Sequence, residues 1–128
     1  MKGIHATVGA VALVLSWPGA TSAATAGQLA DDFWLVGNYT QNAPCKGDGT
    51  DPAERKVKIS TQQIDSKVGV CTFLDARPAG KTLSAHLECQ LPAGLLMSDV
   101  TFTQRANDTI DFIDGNKNYT ATLYRCPK

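Results

Sequence analysis

The chain has 128 residues, 43 % of them apolar, with 12 Lys and Arg against 12 Asp and Glu. That length suits one domain. The balanced, dispersed charge excludes a nucleic-acid or anionic-membrane surface, because phosphate binding needs a concentrated basic patch.

The N-terminus carries Lys2 and His5, then the apolar run "ATVGAVALVLSW" (6–17), then Pro18, Gly19 and the small residues "ATSAATAG". A basic start, an apolar middle and a small-residue end are the order of a secretory signal. The apolar run is shorter than the roughly 20 residues a bilayer-spanning helix needs. Cleavage is expected after Ala23 or Ala26, leaving a single β domain over 27–128. Export to the periplasm or the outside follows, with no stable membrane insertion.

Behind the signal, short apolar or alternating runs separated by turn residues predict about seven strands. "DFWLVGNYT" (32–40), aromatic and β-branched, reads as the first. "RKVKIST" (55–61) alternates, with Val57 and Ile59 on one face and Lys56 and Lys58 on the other. "VGVCTFL" (68–74), "KTLSAHLECQ" (81–90), "DVTFTQ" (99–104), "TIDFI" (109–113) and "NYTATLYRC" (118–126) complete the set. Turns are expected at "DARPAGK", "QRAND" and "DGNKN", where Gly, Asn and Asp tolerate left-handed backbone. "LPAGLLMSD" (91–99) and "GQLADDFW" (27–34) each admit a helical turn. The fold class is all-β, a small antiparallel barrel or sandwich.

Cys45, Cys71, Cys89 and Cys126 all lie behind the signal, an even count that implies two disulfides in an exported chain. Cys71 and Cys89 are symmetric about Gly80, the expected hairpin tip, so paired strands would set them face to face. Cys45 is then left to join Cys126, across the first and last strands of a barrel. Pairing of Cys45 with Cys71 or with Cys89 stays open.

The segment from Lys81 to Gln90 holds His86, Glu88 and Cys89 in close sequence. Side chains two apart share a strand face, so Cys89 points away from His86 and Glu88. His86 and Glu88 fall short of the three or four ligands of a stable transition-metal site. No nucleophile motif occurs. Asp108, Asp111 and Asp114 lie at or near turns, where aspartate serves the backbone. "DGNKN" lacks the sixth-position glycine and twelfth-position glutamate of a helix-loop-helix calcium site. No cofactor and no metal are expected. N-x-T sequons stand at Asn38, Asn107 and Asn118.

Binding is therefore expected rather than catalysis, with a protein in the periplasm or outside the cell as the partner. The candidate residues are Lys46, Asp48 and Asp51, on the polar loop 41–54 that Cys45 pins, with Trp34 and Tyr39. Phe33, Trp34, Tyr39, Tyr119 and Tyr124 would line one barrel mouth if the first and last strands are neighbours. A small hydrolase using Asp108, Asp111, Asp114 or His86, and a structural envelope role, are the other two readings.

"GNYT" followed by Cys45, a central "GVC", a later "LEC" and a terminal "YRC" resemble the small exported four-cysteine β-proteins of Gram-negative proteobacteria, whose function is unknown. More distantly, size and all-β character are similar to periplasmic protease and lysozyme inhibitors. That likeness implies a compact barrel that inhibits a hydrolase. The chain lacks the SG-x-x-Y signature of the lysozyme inhibitors, and its four cysteines exceed the single pair typical of the bacterial metalloprotease inhibitors. No functional residue carries over.

Overall fold

A computed structural model describes residues 27–117 and 119–127. The expected signal segment (1–26), Asn118 and Lys128 lie outside the described residues. The chain forms eight antiparallel strands in one closed barrel, each paired with the next and the last with the first. They are β1 (Gly37–Gln41), β2 (Lys56–Ile59), β3 (Gln63–Ser66), β4 (Gly69–Ala79), β5 (Thr82–Leu91), β6 (Gly94–Gln104), β7 (Thr109–Asp114) and β8 (Thr120–Arg125). Closure removes the end strands of an open sheet, and the stretch of β4 beyond residue 72, unpaired on its β3 side, carries Pro78 there.

Eight strands rather than seven are present because "QIDS" forms β3. It is short and polar at all but one position, yet Ile64 and Ser66 face inward while Gln63 and Asp65 are exposed. Residues 32–36 are not strand: successive turns, with Phe33 N–H on the Ala30 carbonyl and Val36 N–H on that of Phe33, delay β1 until Gly37. Residues 75–79, expected as a turn, extend β4. Pro78 is tolerated there because β3 pairs only with residues 69–72, so β4 beyond them has its ladder on the β5 side. Instead of a helical turn, Leu91 pairs with Gly94 across a two-residue Pro92–Ala93 turn.

The β4–β5 hairpin turns through Gly80 and Lys81, with Gly80 at φ 61°, a left-handed value glycine adopts without cost. Ala79 pairs with Thr82, so the true centre lies between residues 80 and 81. A bulge between Phe73 and Asp75 then shifts the register by one, and Cys71 meets Cys89. The Cys71–Cys89 and Cys45–Cys126 bridges both form. Two disulfides fit a protein held outside the reducing cytoplasm.

Inward positions alternate along every strand. The core is Leu29, Leu35, Tyr39, Val57, Ile59, Phe73, Leu83, Ala85, Leu87, Cys89, Val100, Phe102, Ile110 and Leu123. Residues 27–36 close one end of the barrel. Leu29 N–H bonds the Thr61 carbonyl at the β2–β3 turn, and Leu35 is fully buried. Gly27, at φ 89°, lies so close to the Phe73 and Leu74 carbonyls that a Cβ would clash with them. Arg125 points inward from β8, with its guanidinium 5.0 Å from the centre of the Tyr39 ring. It donates to the carbonyls of Trp34 and Val36 and so ties the plug to the last strand.

Candidate functional site

The opposite end of the barrel, at the β3–β4, β5–β6 and β7–β8 turns, carries no such plug among the described residues. A cup of about 380 Å³ opens there into the barrel. Ile59, Leu87, Val100, Phe102 and Leu123 form its floor and Ile64, Leu91, Leu96, Phe112 and Ala121 its walls. The volume falls in the range of small-molecule sites, about 300–1,000 Å³. An eight-stranded barrel is just wide enough either to be filled by its side chains or to hold one small ligand. Here side chains fill one half, and the other is left as an open apolar cup.

The cup wall includes the Cys71–Cys89 bridge, which cross-links β4 and β5. Toward the mouth the lining turns polar, with Gln41, Ser66, Ser98, Asp114 and Tyr119. The Tyr119 hydroxyl donates to Gln41 Oε1 at 2.8 Å, linking the β7–β8 turn to the end of β1. Its ring stands edge-on to Phe112, with centroids 5.9 Å apart. Asp114 accepts the Asn116 N–H on Oδ1. Large apolar side chains stand at the rim, Val68 at 63 % exposed and Leu96 at 51 %, while Leu95 and Met97 are exposed on the outer face of β6.

The expected binding residues lie elsewhere. Lys46, Asp48 and Asp51 sit on the loop between β1 and β2, which folds back over the outside of the barrel and is pinned at Cys45–Cys126. The Asp51 carboxylate accepts the Lys46 and Gly47 N–H groups, so it shapes the loop itself. Asp48 accepts the hydroxyl and the N–H of Thr50, and these bonds hold its carboxyl below the usual range. Under the loop runs an outer groove lined by Asn38, Lys56, Lys58, Asp65 and Lys67.

Trp34 belongs to the plug, and Tyr39 is core, 1 % exposed, with its hydroxyl donating to the Leu35 carbonyl at 2.7 Å. Burial pushes the Tyr39 hydroxyl up to about 12, against the pull of the Arg125 guanidinium and with a further push from Asp108. β1 and β8 are neighbours, but the aromatics divide: Phe33, Trp34 and Tyr39 stand at the plugged end and Tyr119 at the open one.

The residues weighed for catalysis are also dispersed. Asp108 is at the β6–β7 turn, Asp111 pairs outside the barrel with Arg105 at 2.6 Å, and Asp114 faces into the cup. His86 and Glu88 lie on the outer face of β5, away from Cys89 as the alternation expects. His86 Nδ1 stands 2.6 Å from Asp99 Oδ1, the residue opposite it on β6. No three His, Cys, Asp or Glu side chains converge as a metal site would require among the described residues.

The cup residues escaped the sequence reading for a physical reason. Alternation says which side chains face inward, not whether they meet across the barrel. The available signal was Val68 and Leu96, at a turn and a strand end, where polar residues are the rule. No family model matches the chain, and no characterised protein or solved structure shows significant similarity to it.

Proposed function

We propose that this is an exported binding protein whose barrel holds the apolar part of a small molecule. The observation that carries this reading is the half-filled barrel: a plugged, packed end facing an apolar cup of about 380 Å³ that opens to solvent. Sites of this composition draw most of their affinity from apolar burial, roughly 25 cal/mol per Å² before ordering costs, while a few polar groups orient the ligand. The two disulfides suit a periplasmic or secreted location.

Titration with N-phenylnaphthylamine, a neutral dye that fluoresces in apolar surroundings, tests this. Saturable one-to-one binding is expected. Ser98→Phe, which places a ring among the mouth residues, is expected to weaken it at least tenfold with little change in melting temperature. Emission that rises linearly without saturating, or that is indifferent to the ring, would remove the cup from consideration.

A protein partner, such as a hydrolase to be inhibited, is the second reading. The feature favouring it is the pinned loop above the outer groove with Lys56, Lys58 and Lys67. Deleting residues 46–52 is expected on this reading to abolish capture of a single stoichiometric protein from the host envelope. Dye binding in the cup would be left intact.

A further inference from the structure

The lining of the cup is not neutral in its chemistry. Asp114, inward-facing and half-buried on β7, is its single carboxylate, and no Lys, Arg or His lines it among the described residues. Lys67 lines the outer groove, and Lys117 is exposed in the β7–β8 turn. Charges out in solvent are screened, whereas one set against an apolar wall acts through a lower effective dielectric. The aromatic pair Phe112–Tyr119 lines the cup together with Asp114, and aromatic faces attract cations too.

We propose that the ligand of the cup is a cationic amphiphile, its apolar tail on the floor and its ammonium-type head between the Asp114 carboxylate and the Phe112–Tyr119 rings. This rests on the cup being a binding site. Three features act together. The floor, from Ile59 to Phe102, takes only an apolar tail. The mouth offers a carboxylate and π-faces, which suit a positive head. An anionic head, such as that of a fatty acid, would meet the like charge of Asp114.

The test is displacement of bound N-phenylnaphthylamine by decylamine, decanol and decanoate near pH 7, where the amine is cationic and the acid anionic. Decylamine is expected to bind at least tenfold more tightly than decanoate, with decanol between them. Asp114→Asn keeps the oxygen that accepts the Asn116 N–H. It is expected to narrow the amine-to-carboxylate ratio to less than threefold while leaving decanol unchanged.

If dye and decanol bind but decanoate equals or exceeds decylamine, the head assignment is wrong and the cup reading stands. A preference for the amine that survives Asp114→Asn overturns the assignment as well. If neither the dye nor any of the three binds, the cup reading itself has failed. Should Asp114→Asn not fold, the wild-type ratio decides. It should contract markedly between about 50 and 500 mM salt if an ionic contact sets it, and a salt-independent ratio would overturn the proposal.

Discussion

The two ends of this barrel are built from the same residue types and finished in opposite ways. At the plugged end Leu29 and Leu35 cover the interior, Tyr39, Leu83 and Ile110 pack beneath them, and Arg125 ties the backbone of residues 34–36 to β8. At the open end Val68 and Leu96 have no such cover, and a side-chain bridge, Cys71–Cys89, cross-links the wall. The difference lies in one segment, the ten residues before β1, which supply one end with a lid of leucine and aromatic side chains. Stability should therefore concentrate at the plugged end and binding at the open one.

The largest expected effect comes from removing the Cys45–Cys126 bridge with paired serines. It closes a loop with a sequence separation of 81 beside the β1–β8 seam, where the Cys126 N–H also bonds the Asn38 carbonyl. On the loop-entropy model its loss costs about 4.5 kcal/mol, against about 3 kcal/mol for Cys71–Cys89, whose separation is 18. Urea unfolding of the two double variants measures both. The reverse order would mean that the cup wall, not the seam, carries the constraint.

Leu35→Ala comes next. The side chain is fully buried in the plug, and truncating such a leucine costs about 2–5 kcal/mol. In a domain near 100 residues that lowers Tm by roughly 4–8 °C per kcal/mol. Calorimetry showing no fall would mean that the plug does not close the barrel in solution.

How far the sequence revealed these ends can be judged residue by residue. The symmetry of Cys71 and Cys89 about Gly80 brought out their pairing, although the hairpin centre lies half a residue further on and a bulge makes up the difference. "QIDS" was invisible as a strand because only Ile64 carries an apolar signal there. The plug read as strand because "FWLV" has the right residue types, and only the turns at Ala30 and Phe33 show that it crosses the barrel end. Asp114 read as a turn aspartate, and it does cap Asn116. Its inward direction depends on the parity of β7, which a one-residue slip would reverse. The empty upper half could not be read at all, since it depends on distances across the barrel rather than along the chain.

A smaller effect sharpens the comparison through pH. The Tyr39 hydroxyl, buried under the plug and bonded to the Leu35 carbonyl, is held up to about 12 against an ordinary value near 10. Its folded value is the higher, so the folded state holds the proton more tightly. The associated stability is present in full below about pH 10 and is lost as the pH rises through about 12. The loss is on the order of 2–3 kcal/mol. Tyr39→Phe is expected to cost about 1 kcal/mol at neutral pH, from the lost hydrogen bond, and to flatten the stability profile over that alkaline window. An identical alkaline slope in both proteins would place the sensitivity elsewhere.

The smallest effect on stability is expected from Leu96→Ala, the same chemical change as Leu35→Ala made at the other end. Leu96 is half exposed at the cup mouth, so truncation gives up little buried area and leaves no closed cavity. A change within about 0.5 kcal/mol follows. Ligand binding should respond where stability does not, because Leu96 lines the cup, and a severalfold weaker Kd for N-phenylnaphthylamine is the expected readout. The pair of leucine variants thus separates what holds the barrel together from what it holds. A loss of 2 kcal/mol or more from Leu96→Ala would break the comparison. It would mean that the rim is covered in solution, for example by a second copy of the chain, and sedimentation of the wild-type protein would then reveal that partner.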